Sequence, residues 1–212
     1  MTENNNVFIT FEGCDGTGKT TQSKLLADDM HALLTSDPKG TVYGKQITDI
    51  AIAKADGWAQ AFAFLSARAK LTEDVIMPAL LTGKNVVCDR FMDSTFVYQG
   101  ILGGLNLSRL RDLTFIASHN IKPDLTIILR FNNLECLHER IVSRAKDEGS
   151  ELDRFDAMSA SSMREVQDGF MSLASAEPWR FIVIDCDNRS VNEIHEDILK
   201  QVNERLKLTN KQ

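Results

Sequence analysis

The segment from Gly13 to Thr20 restricts the fold of this chain more than any other feature of its sequence. It reads Gly13-Cys14-Asp15-Gly16-Thr17-Gly18-Lys19-Thr20, which fits the pattern GxxxxGK[ST] in full. A short apolar run precedes it and a helical pattern follows it, as this motif requires. Glycines let such a loop curl until its backbone N–H groups converge on phosphate oxygens, and the positive end of the next helix adds to the attraction. The segment is therefore a predicted phosphate-binding loop, or P-loop.

Two side chains of the P-loop have predicted roles in binding a nucleoside triphosphate. Lys19 should reach the β- and γ-phosphates, and the Thr20 hydroxyl group should bind Mg²⁺. A glycine-rich turn that arises by chance is the alternative. It is disfavoured because the predicted strand and helix lie on the correct sides of the motif.

Short apolar runs alternate with helical patterns along the chain, which predicts an α/β fold. Five runs of mostly apolar residues are predicted strands: 7–11, 32–35, 85–88, 125–129 and 181–184. Continuous rather than alternating apolar residues indicate strands that are covered on both faces, as in a parallel sheet. The predicted helices are residues 19–30, 58–81, 107–118, 134–144, 157–176 and 191–206. We expect one domain over residues 1–212, with the P-loop NTPase fold: a five-stranded parallel sheet flanked by helices.

The charge balance indicates which classes of partner the protein can bind, and the cysteines indicate its compartment. The chain has 24 Lys and Arg against 30 Asp and Glu, a formal net charge of −6. Nucleic acid polymers and anionic membranes attract basic surfaces, so neither is an expected partner. No apolar run could span a membrane, and residues 1–6 lack the order of a signal peptide. Four widely spaced cysteines without a CxxC pair favour reduced thiols, so we expect a cytoplasmic protein.

Asp89 and Arg90 form the next candidate site. The segment Val86-Val87-Cys88-Asp89-Arg90 is an apolar run that ends in an acidic residue, as in the Walker B motif. Asp89 could hold Mg²⁺ through water, because this ion keeps much of its hydration shell. Arg90 then lies at the carboxyl end of a strand, where open α/β sheets bind ligands. Taken alone, the pair is equally well explained by an Asp that caps a turn and an Arg on the surface.

A segment rich in charged residues follows the fourth predicted strand. Between residues 139 and 156, the cations Arg140, Arg144, Lys146 and Arg154 lie among acidic residues, and a glycine and a serine mark a loop. A solvated, charged helix end is the simpler interpretation. Beside a P-loop, the segment could instead be a lid, at about residues 143–155, which excludes water and brings arginines to the transferring phosphate.

These features favour phosphoryl transfer over signalling by a GTPase, which should carry an NKxD guanine reader that this sequence lacks. The acceptor is a separate question. Phe64 and Arg68 lie four residues apart on the predicted helix 58–81, so they share one face. An aromatic ring and a guanidinium group on one face could stack on a base and hydrogen-bond to it. From spacing alone, Phe64 in the core and Arg68 on the surface is the favoured interpretation.

Over nearly its whole length, the sequence resembles the thymidylate kinases, which phosphorylate dTMP to dTDP with ATP. The matching motifs are the P-loop of residues 11–21 with its acidic Asp15, F-x-x-x-R at 64–68, V-I-M-P-A-L at 75–80, D-R-x-x-x-S…Y-Q-G at 89–100 and L-D-R at 152–154. This combination is much more specific than a P-loop alone. The resemblance implies a P-loop kinase domain with a lid, and dTMP as its small-molecule acceptor.

The resemblance also implies roles for individual residues on the acceptor side. Phe64 would stack on thymine, and Arg68 would hydrogen-bond to the edge of the base. Arg90 would bind the acceptor phosphate, while Asp15 would meet the sugar 3′-hydroxyl and help to hold the acceptor-side arginine. The remaining implied dTMP-binding residues are Ser94 and Thr95 at the base, Tyr98 near the sugar, and Gln99. The implied catalytic residues are Asp15, Lys19, Arg90, Arg144 and Arg154.

ATP and Mg²⁺ are the implied cofactors. The implied ATP-binding residues are Gly13, Cys14, Asp15, Gly16, Thr17, Gly18, Lys19, Thr20, Thr21, Arg140 and Lys146, and Thr20 and Asp89 would hold the metal. In one branch of the family the P-loop carries an arginine, but here that place is Gly16. The sequence therefore resembles the other branch, in which lid arginines supply the charge. Arg144, Lys146 and Arg154 are the matching candidates.

One acceptor-side segment departs from the family and keeps other acceptors open. The family segment after the second strand reads roughly R-E-P-G-G-T, whereas residues 36–41 read S-D-P-K-G-T. Ser36 thus replaces an arginine directed at the acceptor phosphate, and Lys39 could supply a point charge instead. A kinase for another deoxynucleoside monophosphate, such as dUMP or a modified deoxyuridylate, is therefore an alternative. A second alternative is a P-loop switch or scaffold without transfer activity. The D-R motif and the lid arginines disfavour this alternative.

The oligomeric state is implied by the resemblance alone. Thymidylate kinases are usually dimeric, and the predicted long helix 58–81 is a plausible interface element. An apolar helix face is more often simply part of the core. We therefore expect a homodimer on the ground of the family, without support from the periodicity of this helix.

Overall fold

The computed structural model describes residues 6–148 and 158–209. Its centre is a five-stranded sheet in the order β2-β3-β1-β4-β5, with every neighbouring pair parallel. The strands are β1 (Phe8–Glu12), β2 (Leu33–Ser36), β3 (Val86–Asp89), β4 (Leu125–Arg130) and β5 (Phe181–Asp185). The predicted α/β class and five-stranded parallel sheet are confirmed. Each strand ends one residue later than predicted, because the ladder pairs backbone groups and therefore does not stop where the apolar run stops.

Helices cover both faces of the sheet. The described residues form α1 (Lys19–Asp29), α2 (Val42–Lys54), α3 (Gly57–Leu71), α4 (Met77–Leu81), α5 (Met92–Thr95), α6 (Leu107–Ala117), α7 (Leu134–Glu148), α8 (Ala160–Ala176) and α9 (Val191–Thr209). Consecutive residues of β3 show the two-sided burial: Val87 belongs to one hydrophobic cluster, and Val86 and Cys88 belong to another. All three are fully buried, which explains why the strands read as continuous apolar runs.

The predicted helix 58–81 is present, but it is not a regular α-helix throughout. A π-helical turn, Thr72–Ile76, joins α3 to α4, and the Met77 amide donates to the Thr72 carbonyl five residues earlier. Pro78, which has no backbone N–H to donate, follows directly in α4. The three pieces therefore continue one another, and the prediction of a single long helix is confirmed with an inserted wider turn.

Two helical segments were not among the predicted helices. Helix α2 begins after Thr41, whose side chain accepts a hydrogen bond from the Gly44 amide at 2.9 Å. Glycine and several β-branched residues give this stretch a weak intrinsic preference for helix, and packing against α3 overrides it. The second segment is α5 with the π-helical turn Phe96–Leu102. Its aromatic and β-branched residues also have a weak intrinsic preference for helix, so the sequence did not predict it.

The topology determines where a ligand can bind. Strand β1 lies between β3 and β4, so the chain leaves the centre of the sheet in opposite directions on its two sides. Such a switch point opens a crevice at the carboxyl ends of the strands. Glu12, Ser36 and Asp89 end β1, β2 and β3 at this edge. No helix in the ranges 6–148 and 158–209 is long and apolar enough to cross a lipid bilayer.

Candidate active site

A cavity of about 600 Å³ lies at this edge of the sheet, a size that suits a nucleotide-sized ligand. It brings together predicted residues from the P-loop, the long helix and the D-R segment. The predicted residues that line it are Asp15, Gly16, Gly18, Lys19, Thr20, Thr21, Phe64, Arg68, Asp89, Arg90, Ser94, Thr95, Tyr98, Gln99 and Arg140. Residues that lie up to 125 positions apart in the sequence therefore meet in one cleft.

Hydrogen bonds of short and long range hold the P-loop in place. Lys19 is 6% exposed, and its Nζ atom donates to the Cys14 carbonyl at 2.6 Å. The Thr17 hydroxyl group donates to the same carbonyl at 2.9 Å. The Cys14 thiol donates to the Met163 carbonyl at 3.3 Å, so it points into the protein and away from the cleft. Cys14 and Thr17 therefore shape the loop, while Lys19 presents the charge.

Two P-loop glycines are required by their surroundings. A Cβ atom at Gly13 would lie 2.6 Å from the Leu129 carbonyl oxygen, where the loop leaves β1 beside β4. At Gly16, φ is +76° and a Cβ atom would lie 2.6 Å from Cγ1 of Ile141 in α7. The position at which one branch of the family carries an arginine is thus closed by a buried isoleucine.

The two predicted metal-binding groups are adjacent. The Thr20 hydroxyl group donates to Oδ2 of Asp89 at 2.6 Å. Hydroxyl and carboxylate oxygens suit Mg²⁺, which takes few protein ligands and completes its shell with water and phosphate oxygens. Within the described residues, no group of three or more His, Cys, Asp and Glu side chains is arranged to hold a metal ion.

Arg90 connects the P-loop to the acceptor side. Its Nη2 atom donates to Oδ1 of Asp15 at 2.5 Å, and its Nη1 atom donates to the Gly13 carbonyl and to the Ser94 hydroxyl oxygen at 3.2 Å each. The guanidinium group also lies 5.2 Å from the centre of the Tyr98 ring. Burial alone would raise the pKa of Asp15, but the cations of Arg90 and Lys19 outweigh it and lower the pKa to about 2. Asp15 is therefore an ionised anchor for both cations.

Glu12 is a site residue that the sequence interpretation missed. Its Oε1 atom accepts the backbone N–H groups of Phe91 and Ser94 at 2.9 and 3.1 Å, and its Oε2 atom accepts the Ser94 hydroxyl group at 2.6 Å. Burial and the neighbouring Asp93 raise the pKa of Glu12 to about 7. The Ser94 hydroxyl, a predicted base contact, is thus engaged between Glu12 and Arg90 in this structure. Glu12 fixes the turn that presents Arg90.

Arg68 is buried and links three segments of the acceptor side by hydrogen bonds. It is 2% exposed, so its interpretation as a surface residue is wrong. Its Nε atom donates to Oδ2 of Asp37 at 2.7 Å, Nη1 to the Thr95 hydroxyl oxygen at 2.8 Å and Nη2 to the Phe91 carbonyl at 3.1 Å. Burial raises the pKa of Asp37 although Arg68 opposes this, and Oδ1 of Asp37 has no donor. Asp37 was not among the predicted site residues.

Phe64 is half-buried and lines the cavity, so its interpretation as a core residue is also wrong. Helix α2 supplies the nearby wall with Thr48 and Ile52, which lie four residues apart on one face. Because α2 was not predicted, neither residue could be assigned from the sequence. Ser36 and Lys39, from the segment 36–41 that differs from the family pattern, also line the cavity.

The predicted lid is described only at its beginning. Arg140 in α7 lines the cavity, and its guanidinium group lies 5.5 Å from the centre of the Phe131 ring. Lys146 is exposed near the end of α7 and is not among the residues that line the cavity. The side chain of Arg144 and the whole of Arg154 lie outside the described part of the chain, as do residues 149–157.

Comparison with known proteins identifies the family. The sequence model of thymidylate kinase matches residues 11–198. The chain is 36% identical to the thymidylate kinase of Pelotomaculum thermopropionicum over 208 residues, and 38% identical to that of Symbiobacterium thermophilum over 209 residues, with 94% of each chain covered in both cases. The crystal structure of thymidylate kinase from Ehrlichia chaffeensis matches with a TM-score of 0.74 at 29% identity, covering 93% of this chain and 98% of that one. The chain therefore belongs to the thymidylate kinase family, whose members phosphorylate dTMP to dTDP.

Proposed function

We propose that this chain transfers the γ-phosphoryl group of ATP to the 5′-phosphate of dTMP, giving ADP and dTDP. The observation that carries the proposal is the position of Arg90. It lies between the P-loop anion Asp15, at 2.5 Å, and a pocket that Phe64, Arg68 and Gln99 line. One cation thus borders both a site for a triphosphate and a site for a base, as transfer between two nucleotides requires.

The donor side binds and neutralises the triphosphate. The P-loop amides and Lys19 would bind its phosphates, and Thr21 at the start of α1 and Arg140 in α7 also line this side of the cavity. Thr20 and Asp89 would hold Mg²⁺, which when bound adds positive charge beside the transferring phosphoryl group. Burial and the nearby Arg90 cation lower the pKa of Lys19 below its usual value, while Asp15 opposes this and helps to keep the charge.

The acceptor side positions an oxygen that needs no general base, because a phosphate oxygen is already anionic. Arg90 would bind the acceptor phosphate, and Asp15 fixes its guanidinium group in advance. Positioning and charge neutralisation then supply the rate enhancement, as in other phosphoryl transfers. Arg144 and Arg154 of the lid remain proposed contributors of charge.

The pocket for the base has a polar rim with fixed hydrogen-bond directions. Arg68 can only donate, so the Thr95 oxygen accepts from it, and the Thr95 hydroxyl group can donate its own hydrogen to a carbonyl oxygen of a base. Phe64 also lines this pocket, and Tyr98 lies beside Arg90 near the proposed sugar position. These features favour a pyrimidine base with carbonyl groups.

Acceptor choice tests this proposal directly. We expect ADP release, followed with a coupled assay, to be fastest with dTMP among dTMP, dUMP, dCMP, dAMP and dGMP. The comparisons give no support to dUMP or a modified deoxyuridylate as the preferred acceptor, and faster release with dUMP would overturn the assignment. ATP binding without acceptor-dependent release would instead indicate a nucleotide-binding switch.

Lys19→Ala tests the transfer mechanism. Removing this buried cation should lower kcat by about two orders of magnitude or more, because it acts on charge that develops in the transition state. Lys24→Ala, an α1 residue outside the cavity lining, is the control and should keep kcat within about twofold. A Lys19→Ala variant that matches this control would contradict the mechanism.

Three further features of the protein remain proposals: one domain with a lid at about residues 143–155, a homodimer and a cytoplasmic location. The dimer has some support in an apolar patch on α3, where Phe62 is 53% exposed and its ring centre lies 5.8 Å from that of Trp58. Light scattering on purified protein tests it, and a monomeric mass would refute it. The four cysteines are free thiols, which supports a reducing compartment.

A further inference from the structure

Gln60 and Gln99 form a buried hydrogen bond behind the base pocket. Gln60 lies on α3 and is 7% exposed, and Gln99 lies in the π-helical turn Phe96–Leu102 and is 5% exposed. Nε2 of Gln99 donates to Oε1 of Gln60 at 3.2 Å. Gln99 lines the cavity, whereas Gln60 is not among the residues that line it. Gln60 is therefore one residue removed from a bound base, with Gln99 between them.

The orientation of both amides follows from the partners of Gln60. Nε2 of Gln60 faces two backbone carbonyls near the end of α2, those of Ala55 at 3.3 Å and Ala51 at 3.5 Å. Carbonyl oxygens only accept, so this end of Gln60 must be the amide nitrogen. Its Oε1 atom must then face Gln99, and Gln99 must turn its own nitrogen toward Gln60. The carbonyls of Ala51 and Ala55 thus determine, through Gln60, which end of the Gln99 amide remains for a ligand.

That remaining end is an acceptor. Within residues 6–148 and 158–209, no donor is directed at Oε1 of Gln99, and the residue borders the same cavity as Phe64, Arg68 and Thr95. Thymine and uracil carry an N3–H donor between two carbonyl groups, whereas cytosine has a bare acceptor nitrogen at that position. An acceptor that cannot rotate suits the first pattern and opposes the second.

We propose that Gln60 is a positioning residue for acceptor specificity, which fixes the Gln99 amide so that the pocket accepts a base with an N3–H group and rejects cytosine. The inference rests on the proposed function, because it deepens the base selection of the same site. It predicts selection of dTMP over dCMP but not of dTMP over dUMP, since thymine and uracil share the N3–H group. The 5-methyl group must be recognised elsewhere in the pocket.

Gln60→Met and Gln60→Glu form a matched pair of variants. Whether ionised or neutral, Glu keeps an oxygen that can accept from Gln99. Met of similar length has only a thioether sulfur, which is a weak acceptor. The measured quantity is the inhibition constant of dCMP against dTMP, divided by the KM for dTMP. We expect this ratio to fall roughly five- to tenfold in Gln60→Met and to stay within about twofold in Gln60→Glu, with the KM for ATP unchanged in both. If Gln60→Met does not fold, Gln60→Asn, which withdraws the acceptor by one methylene, replaces it.

The possible outcomes separate the inference from the proposed function. A ratio in Gln60→Met within twofold of the unsubstituted protein would overturn the inference, and so would an equal fall in Gln60→Glu, which would assign the effect to α2. Gln99→Ala is the second test. If its ratio is unchanged, Gln99 does not read the base and this part of the proposed site fails. Absence of dTMP turnover in the unsubstituted protein would refute the proposed function itself.

Discussion

The P-loop and the acceptor pocket lie at the ends of neighbouring strands, yet contacts of different range hold them in place. In the P-loop, Lys19 and Thr17 donate to a carbonyl five and three residues earlier in the chain. In the acceptor pocket, Arg68 reaches Asp37 across 31 positions, and Ser94 reaches Glu12 across 82. The P-loop is thus held in part by hydrogen bonds within itself, in addition to distant contacts such as that of Cys14 with Met163. The acceptor side is assembled from distant segments.

The difference has an energetic consequence. A local loop depends on backbone conformation, so most single side chains can change without removing its shape. The acceptor pocket depends on buried ionic and polar groups, each of which is costly to leave without its partner. We therefore expect substitutions on the acceptor side to affect both stability and dTMP binding, and those in the P-loop to depend on whether they alter the backbone.

Arg68→Ala should have the largest effect on stability. It removes three hydrogen bonds and leaves the carboxylate of Asp37, whose side chain is 2% exposed, without its cation. We expect the free energy of unfolding to fall by about 3–5 kcal/mol, measured by urea denaturation. In protein that remains folded, the KM for dTMP should rise more than the KM for ATP, and base choice should weaken.

The double variant Asp37→Ala, Arg68→Ala is the control for this effect. It removes both charges, so it should be more stable than Arg68→Ala alone although it lacks one more side chain. Its KM for dTMP should remain raised, because the hydrogen bond from Arg68 to Thr95 is still absent. If the double variant is less stable than the single one, the buried charge is not what the single substitution exposes.

Gly16→Ala should have an intermediate effect and tests the donor side. The new Cβ atom would require a positive φ and would overlap Cγ1 of Ile141, so we expect a loss of about 2–4 kcal/mol in the free energy of unfolding. Gly18→Ala is a matched control, because φ there is +94° but a Cβ atom would meet nothing within 4 Å. It should lose only the strain of about 1–2 kcal/mol. Equal losses in the two variants would show that α7 does not close the Gly16 position.

The same contrast explains which parts of the site the sequence predicts. The P-loop is predictable because its function depends on backbone conformation, and glycine spacing reports that conformation directly. Arg90 and Asp15 were paired only through the resemblance, since no local pattern joins residues 75 positions apart. Spacing favoured Arg68 on the surface, because periodicity cannot reveal that a carboxylate from another segment, Asp37, neutralises it in the interior.

The elements of the fold also differ in how far the sequence predicts them. Strand identity was predictable, because two-sided burial gives continuous apolar runs. Helix α2 was not, since its residues prefer helix only weakly and packing on α3 stabilises it. Without α2, the wall residues Thr48 and Ile52 could not be placed, and neither could the carbonyls that orient Gln60. The prediction therefore failed where structure arises from tertiary contacts.

Asp15 joins the two regions, and its acid dependence gives the smallest of the expected effects. Its pKa is about 2 in the folded protein, against an ordinary value of 3.8, because Arg90 and Lys19 outweigh the effect of burial. A lowered pKa stabilises the fold above the ordinary value, and this contribution is lost as the pH falls from about 4 toward 2. On acidification over this range, we expect the protein to lose about 2 kcal/mol more than Asp15→Asn, which carries no titrating carboxyl group.

Urea denaturation at several pH values between 2 and 5 measures this difference, in the absence of nucleotide. Asp74→Asn is the matched control, because it removes a carboxylate that is 45% exposed and pairs with Lys70 on the surface. It should lose stability on acidification in parallel with the unsubstituted protein, within about 0.5 kcal/mol, since water screens an exposed pair. If Asp15→Asn follows the same curve as Asp74→Asn, the contact between Asp15 and Arg90 does not couple the P-loop to the acceptor pocket. The two regions would then be stabilised independently, and the effects of Gly16→Ala and Arg68→Ala should add in the double variant.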